Sequence, residues 1–218
     1  MGAQLETRRE ELRKRYGELE VAPLGKRTAE ELAVEPFHLG SHYSSPPLTS
    51  YYLVRCRPFD SLARSLQGGK FDTPDRIFAS LGHTYGLVCR HDSRELVPQM
   101  YYLPELLLNL NEHPFGRTQS KQPVHDVLAP PWSRNDPRLH ALLLRKILES
   151  ELVSQRLHLW LNLVFGGTQQ GKQAFQMLNT FHPLTYENNL DFTSLAPADA
   201  FTRQATLDQI SQYGQVPR

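Results

Sequence analysis

Cysteine is scarce in this chain. Cys56 and Cys89 are its only two in 218 residues. That is too few for the disulfide framework of a small secreted domain, and two free thiols are expected. An excess of one charge is lacking too. Lys and Arg number 24 against 23 Asp and Glu, a net +1. Broad nonspecific binding to nucleic acid draws its affinity from neutralising many phosphates, so no nucleic-acid partner is expected. No apolar run reaches the ~20 residues that span a bilayer. No signal-peptide core follows the charged start, and Glu6 stands where a myristoylation signal wants Ser or Thr. A cytoplasmic protein is the expectation. Period-2 alternation is almost absent, which argues against a sheet.

Proline is plentiful instead: 16 residues against 13 glycines. Short helices joined by proline-set connectors should result. Residues 5 to 20 read as a solvated helix with charges of both signs, relieved by a thin stripe of Leu5, Leu12, Tyr16 and Leu19. Residues 21 to 36 look like a linker or a short turn. A polar, aromatic loop follows from Phe37 to Pro47, and Leu48 to Arg55 fits either helix or strand. Leu62 to Leu66 reads as a short helix closed by Gly68-Gly69. Thr73-Pro74-Asp75-Arg76 has the chemistry of a helix start, with Ile77, Phe78 and Leu81 as its inner face. Pro98 to Pro104 and Pro130-Pro131-Trp132 read as extended, with a short helix over 105 to 110 between them. The strongest helix signal begins at Asp136-Pro137 and runs to about Phe165, bending near Glu149-Ser150 and stopping at Gly166-Gly167. Its apolar set is Leu139, Leu143, Ile147, Val153, Leu157, Trp160, Leu161 and Val164. Two further helices are predicted over 172–179 and 197–213, the last ending at Gly214. The fold class is mainly α.

Three constellations could carry chemistry. Gly166-Gly167-Thr168-Gln169-Gln170-Gly171-Lys172 satisfies the G-x-x-x-x-G-K of a phosphate-binding loop. A nucleotide-binding enzyme using Gly166 to Lys172 is therefore the alternative function. Gln173 occupies the place of the Mg²⁺-holding hydroxyl, and a helix rather than a strand is predicted to lead in. A helix–loop–helix corner is the plainer reading. Glu151, Ser154, Gln155, His158 and Asn162 share one helix face. A Glu–His pair there could move protons, but any amphipathic helix has such a stripe. Nine histidines invite a metal, yet Cys89-Arg90-His91 and His38/His42 lack zinc-site spacing, and no metal or other cofactor is expected.

A longer pattern runs through the chain. It includes Gly40-Ser41-His42-Tyr43-Ser44, Phe71-Asp72-x-x-Asp75-Arg76-x-Phe78, and Glu95-Leu96-Val97-Pro98-Gln99-Met100-Tyr101-Tyr102-Leu103-Pro104-Glu105. Asp126-Val127-x-x-Pro130-Pro131-Trp132 and Leu148-Glu149-Ser150-Glu151-x-Val153-Ser154 continue it. Leu157-His158-x-Trp160-x-x-Leu163-x-Phe165-Gly166 is its most telling block. Asn179-x-Phe181-His182-Pro183-Leu184-Thr185-Tyr186-Glu187 and Tyr213-Gly214-Gln215-Val216-Pro217 complete it. Together these blocks resemble the BEACH domain. The stretch from Pro130 to Leu139 is similar to the lysosomal-trafficking-regulator branch. Asn162 stands where the family has Asp, the 166–171 corner loses an aromatic and a basic residue, and Gln99 replaces a glutamate. The family's Trp- and Tyr-rich opening segment finds no counterpart, so a BEACH domain short of its N-terminal part is expected. Residues 1–36 would then supply a charged helix and linker, and 37–218 the central and C-terminal part.

The resemblance implies a mainly α, BEACH-type fold with extended irregular segments in the core, and no catalysis. It implies a protein-interaction scaffold in vesicle trafficking, lysosome-related organelles or autophagy. Its partners would be a PH-like domain, in cis or in trans, and other trafficking proteins, with peripheral or indirect membrane association. The matched blocks nominate His42, Tyr43, Arg76, Trp132, Glu149, His158, Trp160, Asn162 and Gln169 as interaction or fold-critical residues. Hypothesis and chemistry together predict an exposed apolar patch where a neighbour docks.

Overall fold

The computed structural model describes residues 5–21, 36–90, 93–186, 189 and 200–217. Its α-helices are α1 (Glu6–Val21), α2 (Pro46–Leu53), α3 (Phe59–Ser65), α4 (Leu81–Val88), α5 (Pro137–Leu148), α6 (Glu151–Ser154), α7 (Leu157–Phe165), α8 (Gly171–Gln176) and α9 (Ala200–Tyr213). Among the described residues β-pairing is confined to isolated bridges. The fold is mainly α. Residues divide into two compact units: 47–87 with 95–156, and 1–46 with 88–94 and 157–218. The linker predicted at 21–36 lies almost wholly outside the described residues, as do positions 197–199 of the last predicted helix.

The 47–156 unit is built around one large apolar cluster. Tyr52 and Leu53 of α2 meet Phe78, Leu81, Met100, Leu106, Leu107, Val127 and Leu144 there. A second cluster joins Val54, Ile77, Phe115 and Val124. The ambiguous segment after Pro47 is thus a helix. Asp136 caps α5 as expected, its carboxylate accepting from Arg138 N at 2.8 Å and Leu139 N at 3.2 Å. Gly68 and Gly69 follow α3 with φ of +66° and +91°, and Gly69 N–H closes on the Arg64 carbonyl at 2.8 Å.

Several sequence expectations for this unit are corrected. Thr73 to Arg76 yields a single 3-10 turn, Pro74–Arg76, without a Thr73 side-chain cap. Asp75 spends its carboxylate on Gln119 N instead. Ile77 is extended, and the backbone of 78–81 is satisfied from outside: Arg55 takes the Phe78 carbonyl, while Leu128 bonds Ala79 and Leu81. Ile77, Phe78 and Leu81 are buried as predicted, but not as one helix face. Pro98–Tyr101, Pro104–Leu107 and Pro131–Ser133 are 3-10 turns rather than extended runs or a helix to 110. The irregular backbone in the core lies at 77–80 and between 115 and 129, where Phe115, Val124, Val127 and Ala129 are buried. The long helix from 136 is three helices. Ser150 starts α6 by accepting Val153 N–H, and α7 begins only at Leu157.

The other unit has a smaller apolar cluster: Leu12 of α1, Leu39, Leu178, Phe181 and Val216, with Tyr43 and Tyr186 beside it. Rings complete it. Tyr16 of α1 stacks on His38, and Phe175 meets Tyr16 edge-on. The predicted α1 stripe is half right, with Leu12 buried and Leu5 exposed. Arg8, on the helix face read as solvated, is buried and donates to the Val88 carbonyl. The helix predicted over 172–179 is shorter, because α8 ends at Gln176 and Leu178 turns left-handed with φ +55°. α9 ends where Gly214 takes φ +77°. A Cβ there would sit 2.8 Å from Ser45 N, so glycine is required by both conformation and space.

Candidate interaction surface

The nominated residues fall in both units. His42 and Tyr43 sit on the 36–45 loop, which is pinned by His42 N–H on the Tyr213 carbonyl at 2.7 Å. His42 is buried, its ring edge-on to Phe181, with Nδ1 accepting Ser44 N–H at 3.2 Å. Burial pushes its pKa down to about 4, so it is neutral at physiological pH. Tyr43 donates to Asn179 Oδ1 at 3.3 Å and packs its ring against Phe181. Ser44 Oγ and Gln215 bond reciprocally, tying this loop to the chain after α9.

Asn179 was not singled out from the sequence, although it stands at the head of a matched block. It is fully buried, and its amide donates to the Leu163 carbonyl at 2.9 Å and the Thr168 carbonyl at 3.2 Å. It thereby holds the 166–171 corner closed. Gln169 does the same from within, its amide nitrogen 3.1 Å from the Val164 carbonyl and 3.0 Å from that of Pro217. Thr168 Oγ donates inward to the Asn162 carbonyl at 2.7 Å. At Gly166 any side chain would overlap Asn162, whose Cα lies 2.8 Å from the position of a Cβ. The corner joins α7 to α8. A helix leads into it, the Thr168 hydroxyl is spent on a protein carbonyl, and the Gln169 amide serves to brace the corner.

The α7 residues behave differently. His158 and Asn162 are exposed, so two members of the predicted polar stripe face outward. Trp160 is half-buried against Phe165, and its indole N–H is buried without a hydrogen-bond partner. Of the apolar set predicted to face inward, Val164 is buried and Trp160 half-buried, but Leu157 and Leu161 are 44% and 43% exposed. Leu159 and Phe165, outside that set, are 48% and 59% exposed, and only Leu163 and Val164 of α7 are buried. Apart from His158 and Asn162, every residue of α7 is apolar, more than its own unit buries. In this unit Phe175 and Met177 are exposed as well.

In the 47–156 unit, Arg76 is a surface residue 3.7 Å from Asp72. Glu149 is exposed at the end of α5. Trp132 is half-exposed and stacks at 5.1 Å on His140, which is buried with neither ring nitrogen hydrogen-bonded. Burial holds the His140 pKa below its usual value. Here too an apolar row is uncovered: Leu142, Ile147 and Leu148 of α5 and Leu152 of α6. Arg55 was not nominated but is the central polar group of this unit. Fully buried, it donates to the His125 carbonyl through Nε at 2.8 Å and through a terminal nitrogen at 2.6 Å, and to the Phe78 carbonyl. Burial lowers its pKa to about 10, opposed by nearby Asp126, and it stays charged at neutral pH. Its only sequence signal was an arginine closing the apolar run Tyr51-Tyr52-Leu53-Val54.

Among the described residues no three His, Cys, Asp or Glu side chains gather as metal donors. No helix among them is long and apolar enough to cross a membrane.

Known proteins give a consistent match. The Beige/BEACH domain family covers residues 1–218. BEACH domain-containing protein B of Arabidopsis thaliana is 42% identical over 186 residues, 84% of this chain. The lysosomal-trafficking regulator of Homo sapiens is 43% identical over 188 residues, 85% of the chain. The WD repeat- and FYVE domain-containing protein 4 of Homo sapiens is 40% identical over 221 residues, all of it. The chain spans only 7%, 5% and 7% of the length of these three relatives.

Proposed function

Because the chain belongs to the BEACH family, we propose that it is a noncatalytic interaction module, working within trafficking proteins and at membranes through the proteins it binds. One relative is named a regulator of lysosomal trafficking, and vesicle or lysosome-related traffic is the setting we assign. The observation that carries the reading is the uncovered apolar surface of α7, with Leu157, Leu159, Leu161 and Phe165 exposed. Leaving so many large apolar side chains in water is unfavourable by ~25 cal/mol per Å². Leu157, Leu161 and Phe165 recur at four-residue spacing along one side of α7, and apolar patches mark surfaces that a partner covers. A PH-like module, in cis or in trans, is the partner we assign to this face.

The test is association in solution. The chain alone should bind a hydrophobic dye and self-associate. A PH-like module added in trans should form a discrete complex by light scattering and suppress the dye signal. Leu159→Glu with Leu161→Glu, both solvent-facing, should abolish the complex while helical content is kept. A monodisperse chain that binds neither dye nor module would remove the basis of this reading.

A further inference from the structure

We propose that the unit containing α1 and α8 carries a second binding site, a cleft that takes an extended acidic peptide segment of a protein partner. The inference rests on the scaffold reading for its choice of a protein ligand, but it uses a separate surface from Leu159 and Leu161.

The cleft holds about 1010 Å³, at the upper end of small-molecule pockets and enough for a few extended residues. Its walls are flat and rigid: rings of Tyr16, Phe175 and Tyr186, and prolines Pro183 and Pro217. Phe175 is 49% exposed although it is a phenyl ring. Val216 is the only branched aliphatic residue among the described lining residues. Lipid acyl chains favour deep aliphatic cavities. Aromatic and proline walls instead suit the stiff, extended backbone of a proline-bearing peptide, which gives up little entropy on docking.

Charge sets the second half of the specificity. Lys172 is the one charged side chain among the described lining residues, which include no carboxylate. It is exposed, and no described residue pairs with it. Gln170 lines the same cleft and is likewise exposed. The other polar groups are already engaged. Thr180 Oγ accepts His38 N–H at 3.1 Å, Tyr186 Oη accepts Phe181 N–H at 3.0 Å, and the Asn189 amide donates to the Pro183 carbonyl at 3.2 Å. Among the described lining residues, the cleft therefore offers a ligand one cation, Lys172, and the Gln170 amide beside an aromatic floor. An apolar or proline residue next to a carboxylate is its complement. Thr168 and Gln169 of the G-x-x-x-x-G-K run brace the corner, which leaves Gln170 and Lys172 as the members of that motif that face the cleft.

An array of heptapeptides permuting Pro, Phe and Glu tests this on the 218-residue chain, with Gln-for-Glu and Ala-for-Pro copies of each and oleate as the lipid probe. Saturable binding of acidic, proline-bearing members is expected. It should weaken about three- to tenfold for the Gln copies and for Lys172→Glu, as loss of one exposed charge-assisted contact implies. Phe175→Ala should weaken it further. Lys172 is exposed, so its variant keeps the fold and isolates the cleft. Leu159→Glu with Leu161→Glu should leave peptide binding intact, which separates failure here from failure of the scaffold reading. If no peptide binds, if the Gln copies bind equally, if Lys172→Glu changes nothing, or if oleate alone binds, the proposal is overturned.

Discussion

The two units hold themselves together by different means. The 47–156 unit surrounds one charged arginine with a large aliphatic and aromatic core. The unit containing α1 and α7–α9 has a smaller aliphatic cluster and adds rings around it, three of them imidazoles. His38 stacks on Tyr16, His42 meets Phe181, and His182 lies flat on Tyr213 at 4.1 Å. Imidazole behaves as an aromatic core residue only while neutral. The first unit should therefore be sensitive to loss of one cation, and the second to gain of protons.

The largest effect is expected at Arg55. Arg55→Met removes the fork that satisfies the Phe78 and His125 carbonyls and leaves them buried without donors. About 3–5 kcal/mol should be lost, read as a lower urea midpoint. Lys should not rescue it, because one ammonium cannot reproduce the planar fork. An Arg55→Lys chain as stable as the original would show that charge alone, not geometry, holds the 78–81 segment.

Acid should strike the other unit first. His38 and His42 have pKa values lowered by burial from 6.5 to about 4, and His182 is shifted in the same direction. The unfolded chain takes up protons below pH 6.5 and the folded unit only near 4. Stability is thus complete above 6.5 and falls as pH drops through that window. By about pH 5 each of the two should cost on the order of 2 kcal/mol. Amide exchange at Leu39 and Phe181 should accelerate before exchange at Leu53 and Leu81. His113 and His140 are lowered too, so equal acceleration in both units would erase the proposed contrast.

Trp132 gives a smaller effect with a sharper readout. Being 45% exposed, it does not qualify for the 3–5 kcal/mol of a fully buried tryptophan. Trp132→Ala should cost about 1–2 kcal/mol. It should also let water reach His140, whose pKa is held down by burial, and raise that pKa toward its ordinary value in an NMR titration. An unmoved His140 resonance would mean that other neighbours keep it dry.

What could be read from the sequence follows the range of the interactions. Asp136-Pro137 and Gly214 act within one helical turn, and both sit where the sequence placed them. Thr73-Pro74-Asp75 carries the same local chemistry. It yields a single turn because Arg55, Gln119 and Leu128, all distant in sequence, claim the groups a helix would have used. The bend expected near Glu149-Ser150 is a full break capped by Ser150, and the second break, before Leu157, is hidden from the sequence by continuous apolar spacing. Spacing also marked Leu157 and Leu161 as core, since periodicity reports that a face is apolar but not what covers it. Arg8, Arg55 and Asn179 each satisfy carbonyls remote in sequence and gave no local signal. Their importance emerges only from the folded chain.

The smallest expected effects bear most directly on the interaction reading. Arg76 and Glu149 belong to matched family blocks, yet one makes a solvent-exposed contact of 3.7 Å and the other is simply exposed. Neither position explains itself through the fold. Arg76→Ala and Glu149→Ala should each shift stability by less than about 0.5 kcal/mol. If their chemistry serves a partner, binding of the PH-like module or another trafficking protein should weaken while the melting curve stays in place. Gln169→Ala provides the opposite pattern, because its amide braces Val164 and Pro217 from inside: stability should fall by about 1 kcal/mol. Should Arg76→Ala and Glu149→Ala leave both binding and melting unchanged, these two side chains serve neither the partner nor the fold, and the docking surface must be assigned to the apolar faces alone.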